Sequence, residues 1–188
     1  GAGVDTVDFS GLPGGQSIDV TLDQTNVTTV VIAGGVDQTI TAVENIIGTA
    51  ENDRIAGDVA ENDLQALGGD DVLIASGSAD TIDGGAGDDT IDYSTHVSAS
   101  QITVALSGGT PTTVQVTGDA NDVIANIENV IGTAGIDTLT GDSENNRLQG
   151  NAGNDYLVGG GGNDILDGGA GTSDTVDYSA AAAGIDIN

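Results

Sequence analysis

The sequence predicts an all-β chain built as a parallel β-roll, a flattened solenoid of short strands, with strand-rich spacers between its repeat blocks. Three observations predict it. A nine-residue period carries a fixed acidic and a fixed aliphatic position, a second period of 84 residues contains it, and no stretch shows a 3.6-residue apolar period.

The long period is read directly. GAGVDTVDFS from Gly1 returns as GAGDDTIDYS from Gly85 and as GAGTSDTVDYS from Gly169, while ENIIGTA from Glu44 returns as ENVIGTA from Glu128. The short period lies inside it: GTAENDRIA, GDVAENDLQ, ALGGDDVLI, ASGSADTID and GGAGDDTID from Gly48, then GTAGIDTLT, GDSENNRLQ, GNAGNDYLV and GGGGNDILD from Gly132. A further copy, GGAGTSDTVD, carries one extra residue at Thr172–Ser173. Position six is Asp53, Asn62, Asp71, Asp80 and Asp89, then Asp137, Asn146, Asp155 and Asp164. Position eight is Ile55, Leu64, Leu73, Ile82 and Ile91, then Leu139, Leu148, Leu157 and Leu166.

These periods set the expected organisation. Residues 1–8 end a preceding nonapeptide block, 9–47 form a β-rich spacer and 48–92 a first block. A second spacer spans 93–131, a second block 132–177, and 178–188 begin another spacer, so the chain reads as a window on a longer array. In the spacers, SIDVTLD (17–23), QITVAL (101–106) and TTVQVT (112–117) alternate apolar and polar residues, as half-buried strands do.

Composition narrows the partners. Asp and Glu number 30 against two cations, Arg54 and Arg147, for a net charge of −28. Such a chain repels its own compact state and lacks the basic stripe that nucleic acid requires. No apolar run is long enough to span a bilayer, so no membrane insertion is expected. There is no cysteine and therefore no disulfide framework or thiol site. The acids recur singly among glycines, each followed two residues later by an aliphatic. That pattern is a folding code conditional on something that neutralises carboxylates.

Nine residues suit one turn plus one short strand. Glycines in the first six positions permit positive φ and close backbone approach, and the last three form a strand with position eight inward and seven and nine outward. Two nonapeptides make one coil, so stacked coils align the position-six carboxylates about 4.8 Å apart, where they repel unless a cation lies between them. Two carboxylates and several turn carbonyls give about six oxygen ligands, the preference of Ca²⁺; Mg²⁺ demands a tighter octahedron and zinc wants His or Cys.

GGAGDDTID and GGGGNDILD resemble the nonapeptide repeat of the RTX (hemolysin-type calcium-binding) family, and the spacers resemble linkers in long proteins of that family. The resemblance implies a calcium-stabilised parallel β-roll, extracellular or cell-surface location, export through a one-step (type I) secretion channel, and calcium-triggered folding. By position it implies metal ligands at Asp53, Asp71 and Asp89 on one edge with Asn62 and Asp80 on the other. In the second unit it implies Asp137 and Asp155 on one edge with Asn146 and Asp164 on the other. Asp5 falls in the same frame and Asp174 one residue beyond it, its place left open by the insertion at Thr172–Ser173; turn carbonyls near Gly69, Gly85, Gly87, Gly153, Gly160 and Gly162 complete the sites. The strongest sites are expected around Asp71–Asp89 and Asp155, with Asp164 close behind, because GTAENDRIA, GDVAENDLQ and ASGSADTID lack most of the glycines.

No zinc-protease helix motif, nucleophile elbow or phosphate loop is present, and no enzymatic role is expected. The frame itself accounts for Asp70–Asp71 and Asp88–Asp89, and the single histidine, His96, reads as a solvated surface residue. The outward pairs, such as Arg54/Ala56, Val72/Ile74 and Thr81/Asp83, make no repeating row of the kind an ice-binding face needs. Two readings remain open. One is a structural or adhesive repeat module of a stalk, surface layer or filament, with neighbouring repeats and further copies as partners. The other is the calcium-dependent folding tail of a secreted toxin or hydrolase whose catalytic domain lies elsewhere.

Overall fold

The computed structural model describes residues 3–96 and 101–179. Those residues form short strands joined by turns, with no helix among them. The chain enters with β1 (Thr6–Asp8) and a first spacer of β2 (Ile18–Thr21), β3 (Val27–Ile32), β4 (Gln38–Thr41) and β5 (Asn45–Ile47). The first block gives one strand per nonapeptide: β6 (Arg54–Ala56), β7 (Asp63–Gln65), β8 (Val72–Ile74), β9 (Thr81–Asp83) and β10 (Thr90–Asp92). A second spacer supplies β11 (Ile102–Ala105), β12 (Thr112–Val116), β13 (Asp122–Ala125) and β14 (Asn129–Ile131). The second block supplies β15 (Thr138–Thr140), β16 (Arg147–Gln149), β17 (Tyr156–Val158), β18 (Ile165–Asp167) and β19 (Thr175–Asp177).

The strands fall into two sheets, ordered β1-β5-β7-β9-β13-β12-β11-β15-β17-β19 and β18-β16-β14-β10-β8-β6-β2-β3-β4. Within the blocks neighbours are parallel and one coil apart, as in Arg54↔Val72 and Val72↔Thr90. The fold is a parallel β-roll. Its three-residue strands follow from the period, since six of every nine residues are used to turn.

Side-chain alternation then builds the core. The position-eight residues Ile55, Leu64, Leu73, Ile91, Leu139, Leu148 and Leu157 are fully buried in a single stack between the sheets. Fully burying each aliphatic contributes about 1.5–3 kcal/mol. Positions seven and nine face outward as expected, with two departures. Ala56 and Ile74, paired in register on the outer face, are buried as well.

The spacers continue the roll. β1 pairs in parallel with β5, and β10 with β14, so one sheet runs straight across each spacer. In the opposite sheet three antiparallel strands are inserted, β2-β3-β4 in the first spacer and β11-β12-β13 in the second. Three of the outer strands rejoin the parallel stack, β2 on β6, β11 on β15 and β13 on β9, while β4 forms the edge of its sheet. The residues opening the two spacers, Phe9 and Tyr93, are buried where the roll widens to take the insert. Between β5 and its counterpart β14 the chain changes sheet an odd number of times, so equivalent elements of the two units lie in opposite sheets.

Candidate metal centre

The position-six side chains lie along the two edges of the roll and are tied into ladders. On one edge the Asp53 N–H donates to Asp71 Oδ1 (2.6 Å), the Asp71 N–H to Asp89 Oδ1 (2.9 Å) and the Asp89 N–H to Glu128 Oε2 (2.9 Å). Asn146 Nδ2 donating to Glu128 O (2.9 Å) and the Asn146 N–H donating to Asp164 Oδ1 carry this edge into the second block. On the other edge the Asn62 N–H donates to Asp80 Oδ1 and the Asp80 N–H to Asp122 Oδ1, both 2.9 Å. The Asp137 N–H donates to Asp155 Oδ1 (2.8 Å) and the Asp155 N–H to Asp174 Oδ1 (3.1 Å). Asp174 therefore holds the position-six place despite the extra residue, because Thr172 and Ser173 both donate backbone N–H groups to Asn154 Oδ1 and take up the slack.

The second oxygen of each side chain separates two kinds of turn. In 48–53 and 132–137 it is used by the protein: Asp53 Oδ2 accepts the Thr49 N–H (2.6 Å) and Asp137 Oδ2 the Thr133 N–H (2.7 Å). The Thr49 and Thr133 hydroxyls and the N–H groups of Ile18 and Ile102 fill the other oxygen. Asn62 and Asn146 are occupied too, accepting the Asp58 and Asp142 N–H groups and donating Nδ2 to Glu44 O and Glu128 O. An amide nitrogen thus lies between coils in those two gaps.

In 66–71, 84–89 and 150–155 the backbone turns differently. Position two has positive φ at Leu67, Gly85 and Asn151, and position four at Gly69, Gly87 and Gly153, so the position-two N–H no longer faces the carboxylate. Oδ2 of Asp71, Asp89 and Asp155 is left buried without a hydrogen-bond partner. The turns 159–164 share the backbone, with positive φ at Gly160 and Gly162. Glycine is required at position four, since a Cβ on Gly87 would collide with the Gly69 carbonyl oxygen and one on Gly153 with that of Gly135. Turn 75–80 is intermediate: the Ser76 and Ser78 hydroxyls cap the carbonyls of Asp58 and Val59.

Burial that outweighs the hydrogen bonds is visible in the acidities. Asp71 and Asp80 are pushed up to about 7 and Asp122 to about 6, in each case mainly by desolvation. Neighbouring carboxylates push further, Asp89 and Asp53 on Asp71 and Asp122 on Asp80. Burial likewise raises Asp89, Asp137, Asp155 and Glu128. A cation would replace the missing solvation. Among the described residues no three His, Cys, Asp or Glu side chains converge on one point, and the turns add backbone carbonyls as further oxygen ligands. Carboxylate plus carbonyl oxygen, with no nitrogen or sulfur, fits the hard-cation preference for oxygen.

A family model for the RTX calcium-binding nonapeptide repeat matches in four copies, over residues 60–91, 125–145, 131–166 and 140–173. Residues 60–91 and 125–173 are thus similar to the RTX calcium-binding nonapeptide repeat. RTX nonapeptide repeats bind calcium, which supplies the charge that these ladders lack. No curated protein matches the chain. Among solved structures, the crystal structure of extracellular lipase LipA from Serratia marcescens is similar at 21% identity and a TM-score of 0.39, over 72% of this chain and 28% of the lipase chain.

Several RTX-ladder residues escape a nonapeptide reading. Asp122 sits above Asp80, and its Oδ2 accepts the Tyr93 hydroxyl at 2.9 Å in the interior. A frame was there to be read: TGDANDVIA (117–125) has Asp122 at position six and Ile124 at position eight. Glu128 and Glu44 close ladders from outside the frame, Glu44 Oε2 accepting the Asp5 N–H at 2.8 Å. His96 corrects the surface expectation. Its side chain is 3% exposed, packs at a tilt against the Tyr93 ring (centroids 5.4 Å apart) and places Nδ1 3.9 Å from Asp119 Oδ2. Burial lowers its pKa, opposed by Asp119.

Proposed function

We propose that this chain is a calcium-binding structural repeat module of a secreted or cell-surface protein, folding when it meets extracellular calcium. The observation that carries the reading is the set of buried, unpartnered Oδ2 atoms of Asp71, Asp89 and Asp155, each in a turn with left-handed residues at positions two and four. A buried ionised oxygen without a partner opposes folding by several kcal/mol, as an order of magnitude, until a cation meets it.

Asp71, Asp89 and Asp155 would hold calcium, with Asp164 and Asp174 as weaker members, and carbonyls of the glycine turns would complete each shell. The bound ion supplies positive charge between coils, and its binding free energy adds to folding by mass action. Asp53, Asp137, Asn62 and Asn146 instead align the coils through N–H groups and amides. Without calcium the clustered acids repel one another and favour an open chain suited to export. Supporting a structural role, both blocks and both spacers share one continuous pair of sheets, which suits an extended element of a stalk, surface layer or filament.

Far-ultraviolet circular dichroism during a calcium titration from a chelated start tests this, with magnesium as control. A cooperative gain of β signal at about 10⁻⁴–10⁻³ M calcium, the range of extracellular modules, and none with magnesium is the expected result. A β spectrum indifferent to chelator overturns the reading.

A further inference from the structure

We infer that the second spacer is itself a calcium ligand: Glu128 and the Asn126 carbonyl, with Asp89, enclose a cation site at the junction of the two blocks. The inference rests on the calcium reading above and extends it to residues outside the nonapeptide frame.

The geometry follows from comparing gaps between successive coils. At Gly48 and Gly132, position one of their turns, the nearest neighbours include the position-six Oδ2 of the same turn (Asp53, Asp137) and a position-one carbonyl of the next coil (Ala66, Gly150). Each position-six Oδ2 therefore faces the gap toward the following coil. In those two gaps the oxygen is satisfied by a position-two N–H.

Gly84 opens the turn of Asp89, and the coil after it is not a nonapeptide. A Cβ on Gly84 would collide with the Asn126 carbonyl oxygen and with the Asp89 carboxylate. The spacer thus puts Asn126 O where the next position-one carbonyl belongs, helped by a left-handed Asn126 (φ 51°) whose amide is pinned to Asp83 Oδ1. Glu128 takes the place of the next position-six side chain, its Oε2 accepting the Asp89 N–H as Asp89 Oδ1 accepts that of Asp71. The Glu128 and Asn129 N–H groups return to Asp89 O at 3.1 and 2.9 Å, which locks the register. Into this gap points Asp89 Oδ2, wholly buried and without a partner. Asp71 Oδ2 belongs to the preceding gap, so two unpartnered oxygens call for two cations on this edge.

The arrangement is not an accident of one loop. The first unit repeats it 84 residues earlier, where Glu44 Oε2 accepts the Asp5 N–H, the Glu44 and Asn45 N–H groups return to Asp5 O, and Ala42 is left-handed at φ 52°. Glu128 is also where the edge passes onward, since its carbonyl accepts Asn146 Nδ2. A cation held there would join the blocks across the spacer.

Glu128→Gln keeps an oxygen for the Asp89 N–H and removes the charge. Counting bound calcium by equilibrium dialysis on the whole chain, the variant should hold one ion fewer than wild type, and its folding midpoint should rise several-fold. Glu144→Gln, at an exposed position outside the ladder, should match wild type. An unchanged count and midpoint in Glu128→Gln overturns the junction site. Wild type independently decides the matter by lanthanide anomalous scattering in crystals. A peak bounded by Asp89, Asn126 O and Glu128 supports it; peaks at the block turns with none at the junction refute it. Wild type binding no calcium at all would instead overturn the function on which the site rests.

Discussion

Removing one hydroxyl should reveal how the spacer is locked to the first block. Tyr93 is buried, and its OH donates at 2.9 Å to Asp122 Oδ2, while Asp122 Oδ1 takes the Asp80 N–H. Tyr93→Phe deletes the first bond and leaves a fully buried carboxylate oxygen unpartnered. Hydrogen bonds to charged groups contribute about 1.5–3 kcal/mol, so at pH 8 the variant should lose about that much. For a chain of this size, about 2 kcal/mol corresponds to roughly 4–8 °C in Tm. The loss should shrink with acid. Burial lifts Asp122 to about 6, against 3.8 ordinarily, so its protonated form prevails in the folded chain at pH 5. A raised carboxylate favours folding fully below its unfolded value and loses that contribution as pH rises through the folded one. Thermal unfolding in saturating calcium, followed by circular dichroism at pH 5 and pH 8, measures the difference. Asp122→Asn supplies the rest of a double-mutant cycle, and Tyr93→Phe should cost markedly less in that background. The first unit already pairs Phe9 with Gln38 at the equivalent positions. Equal losses at both pH values, or strict additivity in the cycle, would refute the reasoning.

Other outcomes follow from the two kinds of turn. Asp71→Asn and Asp155→Asn should each lower the calcium count and raise the folding midpoint, whereas Asp53→Asn, whose carboxylate holds three protein donors, should leave the count intact; equilibrium dialysis separates them. In chelator, acid should partly replace calcium. Asp71 and Asp80 are raised to about 7, so the metal-free roll gains stability as pH falls from 7 toward 4 and loses it on return, read by β signal in EDTA. Leu73→Ala removes a fully buried side chain and should cost about 2–5 kcal/mol in urea unfolding with calcium present. Gly87→Ala would drive a methyl into the Gly69 carbonyl, and should abolish calcium-induced folding of the first block as seen by hydrogen exchange.

The roll and its inward aliphatic stack were legible because every nonapeptide repeats one instruction: turn for six residues, then bury the eighth. The open turns of Asp71, Asp89 and Asp155, whose second oxygens have no hydrogen-bond partner, were legible only in part: all three carry glycine at position four, but so does the closed turn of Asp137, at Gly135. The division of labour among the remaining position-six residues was not legible. Asp53 and Asp71 share a place in the frame, and only Thr49 beside the one and left-handed Leu67 beside the other leave Asp53 Oδ2 bonded and Asp71 Oδ2 without a partner. Non-glycine residues with positive φ leave no mark in composition. Glu128 was hidden for another reason: it meets Asp89 through a pairing 39 residues distant that exists only once β14 lies on β10. His96 looked solvated because a lone polar residue among turns usually is, and only the return of the spacer brings Asp119 against it.

The odd number of sheet changes per unit carries a mechanical consequence. Each spacer replaces one strand of a sheet by three, adding about 10 Å of width on that side at the usual strand spacing and none on the other. One such wedge would tilt the long axis away from the thickened side. The first insert lies in one sheet and the second in the other, so the second tilt reverses the first. A unit with an even number of changes would add its tilts in one direction and curl into a ring. In this unit the two inserts lie on opposite sides, so their tilts would cancel and copies laid end to end would keep to a straight line.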